Sequence, residues 1–290
     1  MASQREIKRR IRSIKNTAQI TKAMQMVAAS RMRKAQQQVT DTRAYAQHIR
    51  GIVADISRRS GADEHPLLTK RDGNRVEIVV LTPDRGLAGS LVVNLNRETI
   101  RLAERVGGDV RVVAVGRKGR DFTLRMRWKL VAEFTNIGDH PDASVIGPVA
   151  QQILEDFEND AVDAVYLVYS EFVSTLRQTP RAVQLLPVIA PDQKDEEEVR
   201  LGGPWNYEPD DPQAVLSALL PRYIEFTMYQ ALLETKASEH SSRMVAMSNA
   251  TDNANELASD LTLLANKARQ AEITKEIAEI SGAAEALRTG

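Results

Sequence analysis

From about Tyr223 to Leu287 the chain contains no Pro, and no Gly before Gly282. Ala, Leu, Glu, Lys and Met dominate the stretch, and these are strong helix formers, so one uninterrupted helix is its cheapest conformation. The small or apolar residues Met244, Met247, Thr251, Ala254, Ala258, Leu261, Ala265 and Ala268 step by alternating threes and fours, the spacing of a coiled-coil seam. Ile273, Ile277, Ile280, Ala284 and Leu287 keep that step after a shift of register. At 1.5 Å per residue the helix would run roughly 95 Å, far more than a compact domain can bury. It therefore requires a partner helix and an enclosing sleeve.

The other end of the chain supplies a candidate partner. Ser3 to Arg59 has no Pro and a single Gly, Gly51. Ile7, Ile11, Ile14, Ala18 and Thr21 keep a heptad step, and Ile20, Met24 and Val27 resume it one residue out of phase. This helix would be about 85 Å long. Two long helices at opposite ends, each with a narrow seam, pair most simply as an antiparallel coiled coil. The seams are rich in small residues: Ala28, Ala29 and Ser30 are expected to face Ala250, Thr251 and Ala254. Small residues let two backbones approach closely, which makes a thin, stiff rod.

Gly61 to Asn74, with Pro66 and two Gly, marks a boundary. After it, apolar β-branched runs alternate with helical spacing. Val76–Leu81, Val110–Val115, Trp128–Phe134, Val162–Tyr169 and Arg181–Leu186 read as strands, and Leu91–Arg105 and Asp142–Phe157 as helices. Such an order implies βαβ units and a mostly parallel sheet covered on both faces. The expected fold class is α/β: a long antiparallel coiled coil of the terminal helices plus a central Rossmann-like domain. The divisions are 1–60, 75–190, an acidic Pro/Gly linker at 191–212, and 213–290. Pro221 would either open the last helix or kink it.

Cysteine is absent, which excludes disulfides, thiolate metal sites and a Cys nucleophile. No run of about eighteen apolar residues spans a membrane, and no apolar segment of signal-peptide type follows the basic start. The turn Thr82-Pro-Asp-Arg-Gly-Leu-Ala-Gly89 lies where open α/β sheets bind ligands, so Asp84, Gly86 and Gly89 are candidates for a phosphate cradle. Against that, neither G-x-G-x-x-G nor a Walker-type G-x-x-x-x-G-K-[ST] occurs. Gly116-Arg-Lys-Gly119 is a weaker candidate. His48, His65, His140 and His240 have no metal-ligand spacing, and no G-x-S-x-G elbow is present. The residues predict no catalytic group, no cofactor and no metal.

Charge is balanced, with 39 Lys and Arg against 39 Asp and Glu, but it is unevenly placed. Residues 1 to 35 hold ten cations and one acid, Glu6. A basic helix can bind nucleic acid, lie on anionic lipid, meet acidic protein surfaces, or belong to a transit peptide. Residues 1 to 44 carry no aromatic for base stacking, and the apolar stripe is narrow for a membrane surface. Contact with protein is the reading these residues favour.

Four stretches carry a resemblance: IRSIKNTAQITKAMQMVAASRMRKAQ at 11–36, TPDRGLAG at 82–89, ALLETKASEHSSRMVAMSNATDNA at 231–254, and NKARQAEITKEIAEISGAAEAL at 266–287. Together, and in this order, they resemble the gamma subunit of F-type ATP synthases in its bacterial form. The resemblance implies a central rotor at the cytoplasmic face of a bacterial plasma membrane. Its partners there are three alpha and three beta subunits, the epsilon subunit and the membrane ring of c subunits. It also implies no nucleotide binding and no nucleic acid. By resemblance, Arg269, Gln270 and Thr274 face the beta-subunit loops, with Met24 on the opposing helix near them. Arg9, Arg10, Lys22 and Arg243 are further candidates for partner contact. Two other readings remain: a small Rossmann-like nucleotide-binding enzyme with helical dimerisation arms, and a coiled-coil nucleic-acid binder.

Overall fold

A computed structural model describes residues 4–59, 65–189 and 212–289. Two long helices, α1 (Gln4–Arg59) and α5 (Pro212–Thr289), stand at the ends of the chain. Between them run β1 (Arg75–Leu81), α2 (Leu91–Val106), β2 (Asp109–Val115), α3 (Arg117–Arg125), β3 (Lys129–Phe134), α4 (Gly147–Glu158), β4 (Ala164–Ser174) and β5 (Arg177–Leu186). The expected linker lies almost wholly outside the described residues. The chain divides into two compact units: residues 1–27 with 244–290, and residues 28–243.

In the first unit the seam is antiparallel, and one contact sets its register. Thr21 and Thr251 meet with their hydroxyl oxygens 2.7 Å apart, and Thr251 also donates to the Met247 carbonyl at 2.8 Å. Ile7, Ala18, Thr21, Met247, Thr251, Ala258 and Ala265 are buried along it. The out-of-phase run does not join the seam: Ile20 and Val27 point outward, and only Met24 of the three is partly covered. Thr251 accordingly faces Thr21 and not the small residues at 28–30, of which Ser30 is exposed. Each step up α1 is one step back along α5, so Gln4, where α1 begins, falls opposite Ala268. Beyond that point α5 has no described neighbour, and every residue from Arg269 to Ala284 is exposed, including Ile280 at 70 %.

The second unit is built on a five-stranded sheet in the order β3-β2-β1-β4-β5, parallel except for the β4–β5 pair. Buried on both faces, β1 reads as a near-continuous apolar run, as central parallel strands do. Val76, Ile78 and Val80 pack under α2. Val79 and Leu81 point the other way, toward α4 and the first half of α5. On that second face Glu77 is fully buried; Arg111 Nε lies 2.8 Å from it but off the N–H direction, and Arg111 Nη2 donates to Asp156 at 2.7 Å. The helices pair here too: Thr42 donates to Gln230 at 2.6 Å, while Ala35 and Val39 pack with Leu233 and Ala237.

Several expectations change. Helix α3 joins β2 to β3 where only a weak glycine motif was read. The expected helix at 142–157 is broken: Asp142 caps a 3-10 turn at Ala143–Val145, and α4 starts afresh at Gly147-Pro148, since Pro has no N–H to continue a helix ladder. Strands β4 and β5 extend into an antiparallel hairpin that pairs Phe172 with Gln178. Pro180 is tolerated there because β5 is an edge strand. Helix α5 begins at Pro212, so Pro221 lies inside it and not in its first turn.

Candidate functional site

A ligand in a sheet of this order would sit outside the carboxyl ends of β1 and β4, where the strand order reverses. In this chain α5 fills that position. Beyond Val168, its last pairing with β1, strand β4 is capped by α5 hydroxyls: Thr235 Oγ1 accepts from Ser170 N at 3.2 Å, and Ser238 donates to the Ser170 carbonyl at 3.2 Å. Ser241 donates to the Thr175 carbonyl at 2.6 Å. Arg243, 8 % exposed, donates to the Gly86 carbonyl at 3.2 Å and to Glu239 at 2.8 Å. The space left among Ser90, Asn94, Ser170, Gln178 and Ser242 is a cavity of about 20 Å³. Ligand pockets are on the order of 300–1,000 Å³.

The glycine motifs have structural explanations. At Gly116, φ is +100° and an added Cβ would stand 1.9 Å from the Thr82 carbonyl oxygen, so the strand-to-helix turn admits only Gly. Gly119 N donates to Thr82 Oγ1 at 2.7 Å, and Asp84 accepts from Arg117 N at 3.0 Å. Two N–H groups that a phosphate at Gly116–Gly119 would have needed are thus engaged in closing the turn.

The same stretch of α5 carries, on another side, a buried charge cluster that sequence reasoning passed over. Lys236 Nζ lies 3.3 Å from Glu239 and donates to the Ile137 carbonyl at 3.2 Å. His240 Nε2 is 3.8 Å from Asp139, which Arg31 of α1 holds at 2.7 Å. Burial pushes the His240 imidazole below its ordinary pKa. The signal was legible as Lys, Glu, His and Arg at helical spacing from 236 to 243, but nothing in the sequence says that this face is inside.

The predicted contact residues separate into two groups. Arg269, Gln270 and Thr274 are exposed on the unpaired end of α5, and Thr274 donates back to the Gln270 carbonyl at 2.9 Å. Arg9 and Lys22 are exposed on α1, as is Arg10, which pairs with Glu6 at 2.9 Å. Met24 is partly covered but does not lie near the first three. The Thr21–Thr251 register sets it opposite Ser248, and Ser248 to Arg269 is roughly 30 Å along the helix. Arg243 is buried and committed within the second unit.

A sheet whose ligand crevice is filled by its own helix, together with an antiparallel seam carrying exposed polar residues, defines a class of protein that works through contacts with other chains. The sequence matches the family model described as ATP synthase over residues 3–287. It is 47% identical over 289 residues to an ATP synthase gamma chain of Halothermothrix orenii, covering 99% of this chain and 100% of the relative. With the gamma chain of Roseiflexus castenholzii the identity is 49% over 292 residues, covering 99% of each. Among solved structures, the central stalk and c-ring of the Tetrahymena thermophila mitochondrial ATP synthase matches with a TM-score of 0.60 at 26% identity, covering 80% of this chain and 99% of that one. A Euglena gracilis mitochondrial ATP synthase chain shares the fold, with a TM-score of 0.65 at 19% identity over 99% of this chain and 95% of that one. The chain belongs to the ATP synthase gamma chain family. Among the described residues, no helix is long and apolar enough to cross a membrane.

Proposed function

We propose that this chain is the non-catalytic central rotor stalk of a bacterial F-type ATP synthase, coupling ion flow through a membrane c-ring to catalysis in an alpha/beta head. The observation that carries it is the antiparallel seam closed by Thr21 and Thr251, in a chain of this family. Packing through Ala and Thr gives a pair of helices that resists twisting and is thin enough to turn within a sleeve. Residues 1–60 and 213–290 form the paired helices in this reading, 75–190 the domain that meets the epsilon subunit and the c-ring, and 191–212 the linker.

Exposed Arg269 offers a guanidinium fork to a carboxylate on a beta-subunit loop, with Gln270 and Thr274 beside it. Arg9, Arg10, Lys22 and Met24 meet the same head from α1. Arg243 serves the fold, where its cation is already paired. The filled crevice at the ends of β1 and β4 supports a subunit that binds no nucleotide and no cofactor, and so disfavours a Rossmann-like enzyme. In this reading the chain works peripherally at the cytoplasmic face of the plasma membrane and binds no nucleic acid.

Co-expression with alpha and beta subunits tests the proposal. The chain should purify with them in a ratio of one to three to three. Failure to associate, or nucleotide binding by the isolated chain, would overturn it.

A further inference from the structure

The turn from α3 into β3 reads Leu124-Arg125-Met126-Arg127-Trp128-Lys129, cations alternating with apolar residues. Leu124 is 56% exposed and Met126 40%, and Arg125, Arg127 and Lys129 are exposed with them. Arg120 takes up the nearby carboxylates of Asp121 and Glu133. Among the described residues, Arg125, Arg127 and Lys129 are joined to no carboxylate; Arg125 reaches only the Asp121 carbonyl, at 3.2 Å. Arg127 has φ +56°, with its N–H donating to the Leu124 carbonyl and that of Trp128 to Thr123. That is where a helix normally ends on Gly, yet an Arg occupies it. The Trp128 ring holds the turn in place, edge-on to Phe122 at 5.8 Å and packed against the apolar core beneath α2.

The turn lies at a defined end of the second unit. Lys129 pairs with Arg111 at the start of β3, and the starts of β1, β2 and β4 share that end. So does the beginning of α5: Leu186 pairs with Val165, Val188 N donates to the Leu67 carbonyl, and His65 lies 3.2 Å from Ser217. Thr235, further along α5, is instead at Ser170 toward the other end of β4.

We propose that this turn rests on a membrane surface, with Arg125, Arg127 and Lys129 on anionic phospholipid headgroups and Leu124 and Met126 entering the acyl boundary. Unpaired cations beside exposed apolar side chains, over an anchored Trp, match the charge and polarity gradient of that interface. An acidic protein face would satisfy the cations but give the two apolar side chains no environment. Nucleic acid would want a free aromatic face, and Trp128 is engaged. Headgroups exchange and impose no register, so such contact holds a subunit without fixing its angle. The inference goes beyond the rotor reading, since a stalk that never touched lipid would still couple.

The test uses the full chain with Trp205→Phe, leaving Trp128 as the sole Trp, and vesicles of phosphatidylcholine and phosphatidylglycerol in a two-to-one ratio. Trp128 emission should shift to the blue on these vesicles, saturably and reversibly with salt, and not on pure phosphatidylcholine. Arg125→Gln, Arg127→Gln and Lys129→Gln together should weaken partition about 100-fold. The equivalent set Arg9→Gln, Arg10→Gln and Arg12→Gln on the basic α1 should change it no more than about threefold. Unchanged circular dichroism would show that the turn variant is folded, and Leu124→Ser with Met126→Ser should reduce the blue shift independently. No shift on anionic vesicles, or a loss that follows the α1 set instead, would overturn the proposal. So would binding that polyglutamate reproduces and vesicles do not.

Discussion

Thr21 and Thr251, 230 positions apart in the chain, place their hydroxyl oxygens 2.7 Å apart inside the helical seam. Each has one hydrogen. Two hydrogens serve three contacts, because Thr251 also reaches its own Met247 carbonyl at 2.8 Å and Thr21 its own Ala18 carbonyl at 3.1 Å, so either hydroxyl can donate across the interface. Thr251→Val keeps the shape and leaves the Thr21 hydroxyl with only its own Ala18 carbonyl, 3.1 Å away. The single variant should cost about 1 kcal/mol, and Thr21→Val with Thr251→Val together less than the sum of the two. A double-mutant cycle by urea unfolding measures the difference, and strict additivity would mean that the pair does not hold the register.

Glu77 predicts a pH dependence. Burial, reinforced by the neighbouring Asp156, pushes its carboxyl up to about 8, and Arg111 only partly opposes this. Arg111 aims its one well-formed hydrogen bond at Asp156, in keeping with a Glu77 that holds its proton. The folded state therefore binds a proton that the unfolded chain has released above the ordinary carboxylate range. Stability from this group is full below about pH 4.5, declines as pH rises, and is lost above about pH 8. Glu77→Gln should flatten that slope and exceed the parent by about 1–2 kcal/mol at alkaline pH. Denaturation midpoints across that range check it.

Two arginines on α5 should respond oppositely to truncation. Arg243→Ala strips buried Glu239 of its 2.8 Å partner and removes the bond to the Gly86 carbonyl, which should cost about 2–4 kcal/mol. Exposed Arg269→Ala should change stability by less than about 0.5 kcal/mol. In the assembled complex, Arg269→Ala should instead lower ion pumping per ATP hydrolysed. Normal pumping in that variant would remove Arg269 from the proposed contact set.

Met24→Lys brings a cation to a partly covered position on α1, adding polar contacts between the helix pair and its sleeve without removing the shaft. Coupling should fall more than hydrolysis does. Parallel measurement of ATP hydrolysis and ATP-driven pumping in membranes decides it, and equal pumping per ATP in variant and parent would refute it.

Arg127→Gly should stabilise the second unit by about 0.5–1 kcal/mol, because it relieves a left-handed backbone at the end of α3. Thermal unfolding gives the comparison. The same variant removes one of the three cations of the proposed lipid contact, so it should be more stable and bind anionic vesicles less.

Local chemistry alone determined most of the elements, α3 excepted. The heptad spacing from Met244 to Ala268 and the absence of Gly and Pro made long helices unavoidable, and the β-branched runs at 76–81 and 110–115 could only be strands. The proposed contact residues Arg269, Gln270 and Thr274 came from family motifs alone, and the structure finds them exposed where α5 runs past the start of α1. What needed the third dimension was every decision between two locally equal choices. Ile20 and Val27 fit a heptad as well as Thr21 does, and only the meeting with Thr251 shows which stripe faces inward. That same meeting sets Met24 far from Arg269. Arg243 looks like any surface cation in a helix; it is buried because α5 occupies the crevice where a parallel sheet would otherwise take a ligand, and burial depends on what another part of the chain covers. Helix and strand follow from neighbours a few residues away, whereas register, burial and pairing follow from residues hundreds of positions apart.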